Sequence, residues 1–368
     1  MKIKIFILTP LAFIVAFVLA ATIYFHIIGR DIPPPDLSDL VLPAEEPIAP
    51  EDNAYTYFQQ SDVFIEEIQR EKEAGNYDAA IRQINTLLCH GQLAKQNAPL
   101  VTDWIMGCFG EMDGLCEIMR LARDTDLPEP DLKRLSDLLN DIPSGDDSIR
   151  DTLKRDFNHR LRYFNGNGVK PEMFLCLCGS ESYAWYAVFS ATLRPNRVKS
   201  ELADRYRAFL LDVPKNYRDM LLPVKLAPTR SVMGGHERPS LRDMLTRNNV
   251  AAKYAVDTCI EGINAIFEKH CRVKAAIAAT KIIIACHLFQ RETGRKPATL
   301  DELVPDYLPA VPLDPFDGNP FRYDSNKGVI WSVGTNLIDY GGVDNTPPER
   351  LRGNPWKGKN AIFKIWEE

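Results

Sequence analysis

The sequence predicts a mainly α protein with a C-terminal α+β module and one N-terminal transmembrane helix. Three observations predict this fold: an apolar run at residues 5–28, apolar residues at steps of three or four over much of residues 53–293, and β-forming clusters after residue 320. The 368 residues include 45% hydrophobic and 26% charged residues, as is typical of globular proteins. The formal net charge of −6 argues against a nucleic-acid partner, since a binding surface for nucleic acid is normally basic.

The run from Ile5 to Ile28 predicts a membrane anchor over residues 1–28. Its 24 residues exceed the roughly 20 that a helix needs to cross the hydrocarbon core. Lys2 and Lys4 precede the run, and the segment that follows Arg30 is acidic. The positive-inside rule therefore predicts a single-pass inner-membrane protein with a cytoplasmic N-terminus and a periplasmic or extracytoplasmic body. A signal peptide cleaved near Ala20 is the alternative, and it exports the body as well.

The next two regions differ in composition. Residues 29–52 are rich in proline and acidic residues, which predicts a semi-rigid extended linker. Residues 53–240 carry helical apolar periodicity, interrupted by breakers at Gly75-Asn76, at Pro128 and at Pro143-Ser144-Gly145. This pattern predicts a helical domain in which Trp104, Trp185 and Tyr186 belong to the core.

Residues 241–368 are predicted to form long helices followed by an α+β module. Gly294 is placed to end the last long helix, and Thr299 with Glu302 predicts a capping box at the start of a short one. The β-formers at 321–323 and 329–333 flank a turn and predict a hairpin, and residues 361–366 predict a third strand. A helix behind these strands would stabilise a sheet that is marginal alone.

Short motifs between residues 274 and 342 carry a family resemblance. They are Gly294-Arg295-Lys296-Pro297, Thr299-Leu300-Asp301-Glu302-Leu303, Tyr307-Leu308-Pro309, the run Pro312 to Pro320, Tyr323, and Ser332-Val333-Gly334. This stretch resembles the C-terminal half of the type II secretion major pseudopilin, which implies a long helix packed on a small antiparallel sheet. The whole chain is similar to a set of single-anchor envelope proteins of planctomycete- and verrucomicrobia-type bacteria with no established activity. Residues 1–28 lack the pilin leader and its glutamate.

The resemblance also implies a candidate metal site. In the major pseudopilin the loop after the Ser-x-Gly strand binds calcium, and the matching residues here are Asn336, Asp339 and Asp344. Calcium prefers six to eight oxygen ligands, which these side chains, Asn345 and backbone carbonyls would supply in part. The alternative is a loop whose Asp, Asn and Gly residues only form turns.

Other motifs point less directly to chemistry. The adjacent pairs Cys89-His90, His270-Cys271 and Cys286-His287 lack the spacing of zinc ligands, and export permits zero to two disulfides. A loop holding His236 and Glu237 is the place to look for catalysis. No catalytic or cofactor-binding residue is predicted.

The function predicted from these observations is that of a membrane-anchored, non-catalytic scaffold or interaction protein of the cell envelope, with a link to secretion. Its expected partners are membrane lipid, through the N-terminal helix, and an envelope protein. An envelope hydrolase with an unidentified active site is the alternative.

Overall fold

The computed structural model describes residues 31–41, 54–164, 192–220, 240–247, 250–260, 262–343, 356 and 360–366. The predicted transmembrane helix, the His236 loop, Trp185 and Tyr186 lie outside these ranges. The elements of the described part are α1 (Ala54–Glu73), α2 (Tyr77–Gln96), α3 (Val101–Ala122), α4 (Glu129–Asp141), α5 (Asp146–Leu161), α6 (Pro195–Asp212), α7 (Leu241–Thr246), α8 (Val250–Cys259), α9 (Asn264–Thr293), β1 (Arg322–Asp324), β2 (Val329–Ser332) and β3 (Ala361–Lys364). The prediction of a mainly helical chain with a small antiparallel sheet is confirmed.

Helix ends fall at the turn-forming residues of the sequence. Asn76 precedes α2, and its side-chain oxygen accepts the N–H of Ala79 at 3.4 Å. Pro128 precedes α4. Gly294 follows α9 with a φ of 74°, and its N–H donates to the carbonyl of Gln290 at 2.9 Å. This left-handed conformation is one that glycine adopts without a steric penalty, which confirms Gly294 as the predicted stop.

The sheet has the order β1-β2-β3, and both pairings are antiparallel. These pairings confirm the predicted hairpin and third strand. All four residues of the central strand β2 are buried. Helix α9 contacts the chain just after β3, because the ring N–H of His287 (Nε2) donates to the Ile365 carbonyl at 2.8 Å. The ring of His287 also packs edge-on against Trp366, with centroids 4.6 Å apart.

The prediction of a capping box is wrong for Thr299, the residue expected to cap the short helix. Residues Leu300–Leu303 form one 3₁₀ turn, and the Thr299 side chain makes no capping hydrogen bond. Glu302 does reach back, but its Oε1 accepts the N–H of Ala298 at 3.3 Å. A 3₁₀ turn is wound more tightly than an α-helix, so the positions that pair in an α-helical capping box are displaced here.

The chain divides into two compact units, each made of separate stretches. The first comprises Met1–Pro43, Lys154–Ala208 and Ala227–Gly262. In its core, Phe157 packs edge-on against Tyr206, and the Tyr206 hydroxyl donates to the buried carboxylate of Asp156.

The second unit comprises Ala44–Leu153, Phe209–Leu226 and Ile263–Glu368. Helix α3 packs against α1, α2 and α9 in this unit. Trp104 on α3 and Phe267 on α9 are both 0% exposed. Trp104 therefore lies in the core, as the sequence predicts.

Glycines allow helices α2 and α3 to approach closely. A Cβ on Gly91 would lie 2.5 Å from the backbone nitrogen of Glu111 and 2.9 Å from the carbonyl oxygen of Gly107. A Cβ on Gly114 would lie 2.7 Å from the side chain of Leu88. These distances are too short for a side chain, so the crossing requires small residues on both helices.

Candidate functional site

A group of titratable side chains lies among the helices of the second unit. We call it the buried ionic cluster, and it consists of the buried Lys95, Glu111 and His270 and the half-buried Asp146 and Lys274. Its members come from α2, α3, α5 and α9, so the cluster joins four helices.

Lys95 and Glu111 form the innermost pair of the buried ionic cluster. The Lys95 ammonium donates to Glu111 Oε2 at 2.5 Å, and the two side chains are 4% and 0% exposed. The close approach of α2 and α3 at Gly91 and Gly107 brings the two charges together. The other oxygen of Glu111, Oε1, is buried and has no hydrogen-bond partner. A charge buried in this way is stable only while its partner is present.

Asp146 forms the outer part of the buried ionic cluster. It is the first residue of α5, where a carboxylate also meets the positive end of the helix dipole. Its Oδ1 lies 2.8 Å from His270 Nε2 and 2.9 Å from Lys274 Nζ. His270 and Lys274 are one turn apart on α9, so both side chains reach the same carboxylate.

These contacts determine the charge states in the outer part. Burial lowers the pKa of His270 to about 4, although the hydrogen bond to Asp146 opposes this shift. Burial raises the pKa of Asp146, but the hydrogen bonds and charges of His270 and Lys274 outweigh burial and lower it to about 2. At neutral pH, His270 is therefore neutral and Asp146 is ionised. Because Nε2 faces a carboxylate, we assign the His270 proton to Nε2.

Trp104 connects the inner and outer parts. The Lys95 ammonium lies 5.3 Å from the centroid of the Trp104 ring, and the His270 ring packs edge-on at 5.9 Å. The indole N–H of Trp104 donates to the Ser148 hydroxyl at 3.0 Å, and that hydroxyl donates to the Gly145 carbonyl at 2.9 Å. The aromatic face thus contacts both a cation and a histidine in the helical core.

A serine, a histidine and an aspartate are close together here, as in many hydrolases, but their hydrogen bonds run differently. The Ser148 hydroxyl gives its proton to a backbone carbonyl, whereas a nucleophilic serine gives it to the histidine. The His270 proton goes to Asp146, and the side chains of His270 and Lys95 are 2% and 4% exposed. The arrangement is suited to holding helices together.

Three free cysteines of the described residues, Cys108, Cys271 and Cys286, are buried. The described chain contains five free cysteines: Cys89, Cys108, Cys116, Cys271 and Cys286. Burial raises the pKa of the Cys108 thiol well above its usual range, while the charge of Lys95 opposes the shift. Cys286 lies in the core on α9. The side chain of Cys259 lies outside the described residues.

The calcium candidates lie in the loop after β2. Asp339 Oδ1 accepts the indole N–H of Trp331 and the N–H of Gly341, both at 2.8 Å. Its Oδ2 lies 3.5 Å from Arg322 Nε, and Asn336 Oδ1 accepts the N–H of Ile338 at 3.1 Å. Asp344 lies outside the described residues, and in the described part no three His, Cys, Asp or Glu side chains are grouped to hold a metal. The calcium site stays a prediction.

A second polar centre lies beside this loop. The buried carboxylate of Asp314 accepts the N–H groups of Phe316 (3.0 Å) and Val333 (2.9 Å) and the Ser332 hydroxyl (2.9 Å). Arg322 donates to Asp314 at 3.0 Å and also pairs with Asp317. These bonds hold the loop that precedes β1, which contains Asp314, against the end of β2.

Sequence reasoning missed the buried ionic cluster. Lys95 and Glu111 lie on the buried faces of α2 and α3, in line with the core residues Leu88 and Trp104, and this spacing is the signal that would have drawn attention to them. His236, the histidine that the sequence singled out, lies outside the described residues.

Comparisons with known proteins identify no relative. The chain matches no family model, no curated protein and no solved structure. Among the described residues, one helix, α9, is long and apolar enough to cross a membrane, and 67% of its most apolar window is buried inside the protein. This burial is typical of a core helix. The resemblance to the pseudopilin therefore stays a prediction from motifs.

Proposed function

We propose that the protein is a membrane-anchored extracytoplasmic scaffold of the cell envelope, with no catalytic role, and that it acts near secretion machinery. Residues 5–28 supply the anchor, and the lysines before them and the acidic residues after them set the orientation. The pseudopilin-like motifs supply the link to secretion. The body is folded outside the cytoplasm and meets its partner there.

The observation that carries the scaffold role is the buried ionic cluster. One of its ion pairs joins Lys95 on α2 to Glu111 on α3, and another joins Asp146 on α5 to Lys274 on α9. Paired buried charges favour one arrangement of helices over others, because any shift leaves a charge without its partner. A rigid helical body of this kind suits a protein that holds a partner in place.

Localisation is testable at Cys89, an exposed cysteine on α2. A membrane-impermeant maleimide applied to intact spheroplasts should label the full-length protein at Cys89, as read by mass spectrometry of the labelled peptide, and the Cys89→Ser variant should lose that labelled peptide. A carboxyl-terminal body on the cytoplasmic side would give labelling at Cys89 only after the membrane is broken.

The scaffold role is testable by cross-linking in intact cells, followed by mass spectrometry of the purified protein. A reproducible envelope partner that is lost in the Glu111→Gln variant, which weakens the bundle, would support the role. Turnover of a cell-wall substrate by the purified full chain would support the hydrolase alternative and overturn the proposal.

A further inference from the structure

Residues 31–41 lie against helix α6 within the first unit. The Asp31 carboxylate accepts the backbone N–H of Asn196 (3.0 Å) and that of Arg197 (3.1 Å). Because Pro195 at the first helical position has no N–H, these are the first two donors that α6 offers. Asp31 therefore caps a helix that begins far along the chain, and its charge meets the positive end of the helix dipole.

The other end of this segment is also fixed. The Arg207 guanidinium donates from Nε and Nη2 to the two carboxylate oxygens of Asp39, both at 2.8 Å. Its Nη2 also donates to the Asp36 carbonyl at 2.7 Å. The Leu40 side chain is 0% exposed, and the Leu40 carbonyl accepts a bond from Asn158 at 3.4 Å. Two polar attachments and one buried leucine thus hold the segment along α6.

Chain length then limits the distance between α6 and the apolar run. The run ends at Ile28, and three residues reach Asp31. At no more than about 3.6 Å per residue, three residues span about 11 Å. With about 6 Å more for the Asp31 side chain and its hydrogen bond, the N-terminus of α6 lies within about 17 Å, or about three helical turns, of the end of the run.

We propose that the first unit is held directly at the bilayer surface, with the N-terminus of α6 facing the lipid headgroups. This inference rests on the proposed membrane anchor. The residues from Leu193 to Ser200 include Arg194, Arg197 and Lys199, and these three positive charges exceed the one negative charge that Asp31 brings to the same end of α6. Their positive charge suits the phosphate groups of phospholipids. The partner of this end of the unit is a phospholipid surface.

The test uses the full chain in vesicles of phosphatidylethanolamine and phosphatidylglycerol. A photoreactive benzoylphenylalanine replaces Lys199, which is half-buried on α6. After illumination, mass spectrometry counts lipid adducts on the protein. A second version carries about ten Gly and Ser residues inserted between Arg30 and Asp31, which leaves every contact of residues 31–41 intact but lengthens the connection to the membrane.

We expect lipid adducts at position 199 in the first version and at least about a fivefold loss with the insertion. Absence of adducts from a protein that still fractionates with the vesicles would overturn the inference while leaving the anchor in place. Equal adducts in the two versions would overturn it as well. Recovery of the protein without detergent would remove the anchor itself, and the inference with it.

Discussion

The ammonium of Lys95 lies 2.5 Å from a carboxylate oxygen of Glu111, with both side chains almost fully buried. Removing one partner should leave the other charge without compensation in the interior. We expect Glu111→Gln to lower the free energy of unfolding by about 3–5 kcal/mol, measured by urea denaturation. Replacing both residues together, as Lys95→Met with Glu111→Leu, should restore much of that loss.

The control is an exposed ion pair on the same helix. Asp78 pairs with Arg82 and also with Arg134 on α4, and the three side chains are 52%, 64% and 44% exposed, so Asp78→Asn should change stability by less than about 1 kcal/mol. Equal effects of Glu111→Gln and Asp78→Asn would show that the buried pair has no special role.

The crossing of α2 and α3 gives a second prediction. A Cβ on Gly91 would lie 2.5 Å from a backbone nitrogen, so Gly91→Ala requires the helices to separate. We expect a loss of about 1–3 kcal/mol in the free energy of unfolding, as for overpacked cores. At Gly110 the nearest atom to a Cβ lies at 3.5 Å, an ordinary contact. Gly110→Ala should therefore be neutral or gain up to about 1 kcal/mol from helix propensity. A larger loss of stability in Gly110→Ala than in Gly91→Ala would contradict the packing of α2 on α3.

Acid should weaken the second unit through the buried His270 and the half-buried His287. Burial lowers the pKa of both His270 and His287 to about 4, below the value near 6.5 of an unfolded chain. Between these pH values the unfolded chain takes up protons that the folded chain does not. The contribution of the two histidines to the free energy of unfolding is therefore fully present above pH 6.5 and is lost as the pH falls towards 4. Each histidine should contribute about 2 kcal/mol to the loss between pH 7 and pH 5.

Gln replacements isolate this effect, since glutamine keeps an N–H donor. His270→Gln should reduce the pH-dependent loss by about 2 kcal/mol, and the double variant with His287→Gln should reduce it by about twice as much. The readout is the difference in urea midpoint between the two pH values, which a simple loss of packing would not alter. An unchanged difference in the double variant would contradict the neutral state of these histidines.

Asp314 provides the test of the C-terminal module. Its carboxylate accepts bonds from two backbone N–H groups, a hydroxyl and Arg322. Asp314→Asn would replace one of these oxygens by an NH₂ group, which would face other hydrogen-bond donors. We expect the free energy of unfolding to fall by about 2–4 kcal/mol, measured by thermal or urea unfolding. Asp324 is the matched control, because its Oδ1 accepts the N–H groups of Asn326 and Lys327 at the surface, which asparagine can also do. If Asp324→Asn lowered the free energy of unfolding as much as Asp314→Asn, burial of the Asp314 carboxylate would not explain its effect.

The elements that sequence predicted well are set by neighbouring residues. Asn76, Pro128 and Gly294 mark helix ends because capping and the φ angle act within one turn. The hairpin and third strand follow from clusters of β-formers, and the central strand is buried throughout. The failure of Thr299 as a capping residue shows that even a local motif depends on whether the turn is α or 3₁₀.

The contacts that sequence could not predict join residues far apart in the chain. Lys95 and Glu111 meet because two glycine-lined helices cross, and Asp146 reaches His270 across 124 positions. Asp31 looks like one more acid in a proline-rich linker, yet it caps α6. Pair distances of this kind depend on the tertiary packing, and a single sequence does not contain them.

The division of the chain into two compact units has a practical consequence, because it falls inside α5 and inside α6. The division falls between Leu153 and Lys154 in α5 and between Ala208 and Phe209 in α6. Expressing either unit alone would sever both helices, each of which would lose backbone hydrogen bonds and gain a new frayed end. Truncation at these points should yield insoluble fragments, so genetic dissection of this protein is better done by point substitution than by deletion.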